Sequence, residues 1–295
     1  MPTEHGQIDI VIAAVLDAPK YRNLAPELVR AVAVRELAAH RGVKAAIKAT
    51  KSKLHQVAGA YVEQRIAPAV WLDRLRSCEP APGAHDPGAA LVQAGLANPR
   101  FAHLSDRFLR GAIDLMTRHA SIRERLPILQ RFYVETLADL PPICSVLDVG
   151  CGLNPLALPW MPLAADATYY ASDIDRTLIS FIAQYLALIG VPGEAHVRDQ
   201  ATNPGGPRVD LALALKLLPV LEQLERGAAA RFLDALDAPF ILVSYPARSL
   251  DGHARGMHVA YERQFAALAS GKGWDIRRFV FPGELAFLIK KGAAP

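Results

Sequence analysis

Two glycines one residue apart, Gly150 and Gly152, close an apolar run that carries a single acid, Val146-Leu147-Asp148-Val149. Glycine reaches backbone conformations closed to other residues and lets a ligand come close to the main chain. The pattern therefore reads as a strand handing over to a ligand-binding loop. Asp173 follows about 20 residues on, at the end of a second apolar run. A carboxylate there can accept hydrogen bonds from two vicinal ribose hydroxyls; its other role is to cap a helix starting near Asp175, and one of the two acids does that. Asp199-Gln200, just past a third run, stands where a purine edge would lie or where the chain simply turns. Asn154-Pro155 replaces the third glycine of a dinucleotide fingerprint, so the expected ligand has ribose hydroxyls but no pyrophosphate to cradle.

Other residues around this loop have a chemical and a plain reading. Asp148 is expected to be structural, a buried acid that holds the loop by accepting backbone N–H bonds. Cys151 reads as a small packed residue rather than a nucleophile. His119 and Arg125, in Arg118-His119-Ala120-Ser121-Ile122-Arg123-Glu124-Arg125, look by themselves like helix-surface residues. Lys216 ends an apolar run and either faces the pocket or snorkels to solvent. The loop from Tyr245 to Met257 holds Arg248, His253, Arg255 and Gly256, a composition suited to a mobile loop over a phosphate-bearing substrate.

The elements that must position these residues follow from periodicity. Strands are expected at 145–149, 168–172, 194–198, 209–214 and 240–244, with helices near 176–188 and 222–236; this alternation means βαβ units and a parallel sheet. Trp274–Phe281 and Glu284–Lys290 are two further strands joined by Pro282-Gly283, an antiparallel hairpin. A Rossmann-like, mainly parallel sheet that ends in a reversed hairpin is the architecture of class I methyltransferases, and S-adenosylmethionine matches the ligand described above. Asn154-Pro155 and the hairpin both argue against a dinucleotide-dependent dehydrogenase.

Upstream, residues 8–58 read as three helices. Ile8, Ile12, Val15 and Leu16 share one face of a first, which ends by Pro19, and Pro26 fits the first turn of a second. A third runs from about Val43 with Ala46, Ile47, Leu54 and Val57 inward and Arg41, Lys44, Lys48 and Lys51 in one arc. Pro, Gly and Ala dominate 77–100, a loop or insertion with a short helix near Ala89–Leu96, and helical spacing resumes over 105–138. The expected organisation is an N-terminal helical domain, 1–104, followed by a methyltransferase domain, 105–295, with a helical lead-in over 105–140.

The net charge is +4, but it is unevenly placed. From Lys20 to Arg76 there are twelve Lys or Arg against four Asp or Glu, a balance of +8, which leaves −4 for the rest. A basic segment on an acidic body points to a polyanionic partner, with a solvated helix face as the alternative. No apolar run is long enough for a membrane span, no basic leader precedes an apolar stretch, and Cys78, Cys144 and Cys151 have no metal-ligand spacing. A cytoplasmic monomer with reduced thiols and no metal is expected.

Several segments together resemble the aminoglycoside-resistance methyltransferases that modify N7 of guanine 1405 in 16S rRNA. They are Cys151-Gly152-Leu153-Asn154-Pro155-Leu156-Ala157, Leu54-His55 with Gly59-Ala60-Tyr61, His119-Ala120-Ser121 to Arg125, Lys216-Leu217-Leu218-Pro219, and Arg248-Ser249-Leu250. The resemblance spans Lys20 to the last strand. It implies that Arg125 contacts the cofactor carboxylate, the Gly150–Gly152 loop its methionine part, Asp173 its ribose, and Asp199 and Gln200 its adenine. Lys20, Lys51 and Lys53 would join Arg41, Lys44 and Lys48 on helices that dock the rRNA of the 30S subunit, with Lys216, Arg248, Arg255 and Met257 on the target side. His253 departs from the family, which tends to have a basic residue there. Rival readings are a methyltransferase for another RNA base or a small molecule, and an RNA-binding module on a vestigial fold; the intact Gly150, Gly152, Asp173 and Asp199 argue against the module.

Overall fold

The structure is a computed structural model that describes residues 4–59, 67–77, 91–92, 95–246 and 254–292. Its centre is a seven-stranded sheet in the order β3-β2-β1-β4-β5-β7-β6. The strands are β1 (Ser145–Val149), β2 (Thr168–Asp173), β3 (Gly193–Val197), β4 (Leu211–Leu215), β5 (Phe240–Pro246), β6 (Asp275–Phe281) and β7 (Glu284–Lys290). The first five are parallel, whereas β7 runs antiparallel to both neighbours, with Glu284 opposite Pro246 on one side and Phe281 on the other. From β1 the chain winds to β2 and β3 on one side, then returns to β4 on the other. The carboxyl ends of β1 and β4 therefore flank the crevice where such sheets bind ligands.

Alternation along β1 feeds two cores: Val146 joins one and Leu147 and Val149 the other. On the first face lie α4 (Pro68–Ser77), α5 (Asp106–Met116), α6 (Ala120–Arg125), α7 (Leu129–Leu137) and α8 (Arg176–Leu188), packed through Trp71, Phe108, Phe132, Trp160 and Phe181. On the second lie α1 (Glu4–Leu16), α2 (Pro26–Ala39), α3 (Val43–Leu54), α9 (Leu218–Leu224), α10 (Ala228–Ala235) and α11 (Ala254–Ala269), packed through residues such as Val11, Leu28, Val32, Phe232 and Phe265. The N-terminal helices thus share a core with the sheet itself.

Local chemistry sets the helix ends. Ser105 accepts the N–H of Phe108 at the start of α5, and Asp175 accepts those of Thr177 and Leu178 at the start of α8. Asp175, not Asp173, is the cap. Two expectations need correction. The helix expected over 222–236 is two, because Gly227 adopts a left-handed φ of +81° between α9 and α10. Arg41 does not ride on the basic helix: Gly42, at φ +92°, immediately precedes α3, so Arg41 lies ahead of it in a bend. Leu91-Val92 is helical, and the rest of the expected 89–96 helix is only partly within the described residues.

Both sheet edges are charged. β3 presents the exposed pair Glu194–His196, and β6 carries Arg277 on Asp139 and Arg278 on Glu262. Among the described residues no helix is long and apolar enough to cross a membrane.

Candidate active site

The glycine loop is shaped by its neighbours. Gly150 and Gly152 sit at φ +60° and +51°. A Cβ on Gly150 would fall 2.9 Å from Leu217 Cδ1, and one on Gly152 would fall 2.7 Å from His119 Nε2. Conformation favours glycine at both positions, and the buried His119 ring adds a steric reason at Gly152. Asp173, at the end of β2, is tied to the same loop: its Oδ2 accepts the Gly152 N–H at 3.0 Å, and its Oδ1 accepts those of Ile174 and Asp175 at 2.7 and 3.2 Å. Burial raises its pKa above the ordinary carboxylate range, and those N–H groups oppose the rise.

Beneath the loop runs a buried polar chain. Asp148 Oδ2 accepts from Asn154 Nδ2 at 3.0 Å and from the Tyr169 hydroxyl at 2.7 Å. The acid holds the loop through a side-chain amide, not through the backbone N–H groups expected for it. Asn154 Oδ1 in turn accepts from Tyr133 and from Arg125 Nη1 at 2.5 and 3.2 Å. An amide can donate to a carboxylate and accept from a guanidinium at once; glycine could do neither. That accounts for the residue standing in place of a third glycine.

Arg125 is not a surface residue. It is 2% exposed and Glu284, at the start of β7, is 1% exposed. Arg125 Nε lies 3.1 and 3.0 Å from the two Glu284 oxygens and Nη2 lies 2.5 Å from Oε1, while the guanidinium stands 4.8 Å over the Phe132 ring. Burial alone would weaken the charge on Arg125, but Glu284 overrides it and the proton is held more tightly than usual. Lys216, at φ +58°, extends the chain: its Nζ donates to Glu124 Oε2 at 2.6 Å and to the Ser121 carbonyl at 3.1 Å, and lies 3.8 Å from Glu284. Lys216 is buried and does not snorkel to solvent. His119 is also buried, and burial together with the charges of Lys216, Arg125 and Arg123 lowers its pKa to about 4, so the ring against Gly152 is neutral near pH 7.

Asp199 and Gln200 are buried just past β3. Asp199 accepts from the Ala201 N–H and the Thr202 hydroxyl. Gln200 clamps Gly205 in both directions, accepting its N–H at 2.9 Å and donating to its carbonyl at 3.1 Å. Asp199 lines a cavity of about 370 Å³ with Ser172, His196, Thr202, Asn203 and Glu27 of α2. Lys44 and Lys48 are exposed on α3; Lys51 and Lys53 are half-buried, and Lys20 Nζ lies 2.7 Å from His55 Nδ1. Cys151 is buried, as expected of a packed residue. Arg255 and Met257 belong to the first turn of α11, and Arg248 and His253 lie outside the described residues. Sequence reading missed Glu284, whose one signal is an acid heading the otherwise apolar run Leu285-Ala286-Phe287-Leu288-Ile289.

A 3-2-1-4-5-7-6 sheet with a double-glycine loop after its first strand and a carboxylate at the tip of its second defines a class I S-adenosylmethionine-dependent methyltransferase. The family model described as ribosomal RNA methyltransferase (FmrO) matches residues 17–288, and the chain belongs to that family. A protein of Frankia casuarinae named 16S rRNA (guanine(1405)-N(7))-methyltransferase is 36% identical over 98% of this chain and 95% of its own length. A namesake from Serratia marcescens is 30% identical over 96% of this chain and 98% of its own. The crystal structure of the 16S rRNA methyltransferase RmtF in complex with S-adenosyl-L-homocysteine has a TM-score of 0.76 at 27% identity, covering 99% of this chain and 100% of that one.

Two measurements check the polar chain. Arg125→Ala leaves Glu284 buried without its main partner and should cost about 3–5 kcal/mol in urea unfolding. Glu284→Gln should cost less, and Arg125→Ala combined with Glu284→Ala should cost less than the sum of the two single changes. The second concerns Asp148, whose pKa burial pushes up to about 7, with Tyr169, Asn154 and Arg125 pulling it down. A raised acid favours its neutral form in the folded state, so its contribution is fully present below about pH 4 and is lost as pH rises through about 7. The penalty of Asp148→Asn should therefore be smaller at pH 8 than at pH 5.

Proposed function

We propose that this chain transfers a methyl group from S-adenosylmethionine to N7 of guanine 1405 of 16S rRNA in the 30S subunit and so confers aminoglycoside resistance. The carrying observation is the buried Arg125–Asn154–Asp148 chain beneath the double-glycine loop, joined to near-full-length similarity with proteins of that name.

When bound, the cofactor supplies an electrophilic methyl group on a sulfonium. Arg125 would face its carboxylate, the Gly150–Gly152 loop its methionine part, Asp173 its ribose, and Asp199 and Gln200 its adenine. The left-handed glycines support this role, because that backbone conformation, rarely open to other residues, gives the loop the shape that lets a ligand approach the main chain. Asp173, held by three backbone N–H groups, keeps lone pairs for ribose hydroxyls.

Guanine N7 carries a lone pair and no proton, so no residue needs to act as a general base. The chain has only to bring the base to the methyl in line and exclude water, after drawing the base from its stack. Lys216, fixed at the end of β4, and Arg248, Arg255 and Met257, which follow β5, are proposed for the target side. Residues 1–104 would dock the rRNA through Lys20, Arg41, Lys44, Lys48, Lys51 and Lys53, and 105–295 would carry the chemistry. The protein would work as a cytoplasmic monomer.

Primer extension on 16S rRNA from cells expressing the chain should place the new methyl at guanine 1405. Those cells should resist kanamycin- and gentamicin-type drugs and remain sensitive to neomycin and apramycin; apramycin resistance would mean a different modified base. Lys44→Glu combined with Lys48→Glu should weaken 30S binding by about tenfold or more at moderate salt, with S-adenosylhomocysteine affinity changed less than about twofold in calorimetry.

A further inference from the structure

The turn that orients Asp173 is held from outside by the N-terminal segment. Asp173 Oδ1 takes its two N–H bonds from Ile174 and Asp175, so the carboxylate points where residues 173–175 point. On the far side of that turn, the Ala25 N–H donates to the Ile174 carbonyl at 2.8 Å and the Arg176 N–H donates to the Asn23 carbonyl at 2.9 Å. Leu24 pairs with Asp175 as an antiparallel bridge, and Arg176 Nη2 donates to the Arg22 carbonyl at 2.9 Å. At the other end of the same segment, the Tyr21 hydroxyl donates to the Lys51 carbonyl at 3.0 Å, and Lys20 meets His55. Six consecutive residues thus join the basic helix α3 to the turn that carries the ribose carboxylate. The two bonds nearest Asp173 are main chain to main chain and leave no signature in the residue types.

We infer that the Lys20–Ala25 segment and Arg176 act as positioning residues for Asp173, which makes the N-terminal helices a working part of the cofactor site. The inference rests on the proposed function for the identity of the two ligands. A cofactor held by Asp173 favours the arrangement of the 173–175 turn that the segment supports, and rRNA bound on α3 favours the same arrangement from the other end. By linkage each ligand then tightens the other by the same factor.

Arg176→Ala is the sharpest probe. Its side chain is exposed in the first turn of α8, where the helix dipole disfavours a cation, so the helix itself should not weaken. Ala25→Pro removes one N–H at a residue whose φ of −52° already suits proline. In the full-length protein, Arg176→Ala should raise the KM for S-adenosylmethionine about threefold and Ala25→Pro about tenfold, the range one lost hydrogen bond spans. kcat at saturating cofactor should stay within about twofold, and Arg176→Lys should restore most of the KM. S-adenosylhomocysteine should tighten 30S binding by the wild type several-fold, and that gain should shrink in Arg176→Ala. Unchanged KM in both variants, or a 30S gain that is absent or unaltered by Arg176→Ala, overturns the inference alone. A wild type that binds neither S-adenosylhomocysteine nor the 30S subunit overturns this inference and the proposed function together.

Discussion

The buried pairing of Arg125 with Glu284 is the constraint on which the site depends. It fastens the helical lead-in to the last strand of the sheet, and through Asn154 it reaches the first strand and the glycine loop. Two charges withdrawn from water are costly unless each is matched and hydrogen-bonded, and here the guanidinium meets both carboxylate oxygens. The reversed hairpin gains its meaning from this pair. An antiparallel β7 brings its first residue, Glu284, to the sheet end where β5 finishes, the same end that carries the ligand loops.

The same chain divides the polar groups by what they can do. Asp173 and Asp199 are held by backbone N–H groups and a hydroxyl, which fix direction without consuming every acceptor. Asp148, Asn154 and Tyr133 are enclosed and serve the loop's shape. His119 is kept neutral by its positive neighbours and its own burial, so it packs against Gly152 as an uncharged ring. A site that needs position rather than proton transfer can be built this way, with its ionisable groups locked into support.

Much of this was readable before any coordinates. Strand periodicity, the Pro282-Gly283 turn and the double glycine locate the sheet, the hairpin and the loop because each depends on residues close in sequence. The misses share a cause. Arg125 looks like one more charge on a helix because its partner stands 159 residues away, and Asp148 looks like a backbone acceptor because the amide it binds sits in a loop. Gly227 splits a helix that apolar spacing alone runs together, and Gly42 leaves Arg41 off the helix that starts at Val43 as expected. The pairing of Asn23 and Ala25 with the 174–176 turn is invisible to residue-type reasoning, since carbonyls and N–H groups are common to all residues. Arg248 and His253, on which the target-side reading partly leans, fall outside the described residues.

The charged margins of the sheet carry a consequence for life at high concentration. A strand at the rim of a sheet offers unpaired amides to any extended chain that passes, which is how ordered aggregates begin. Here one rim is only five residues long and bears an exposed acid and imidazole, and the other is studded with arginines already claimed by Asp139 and Glu262. A second copy approaching either rim must first strip these side chains of water and partners. The charged side chains thus blunt both rims against pairing with another extended chain.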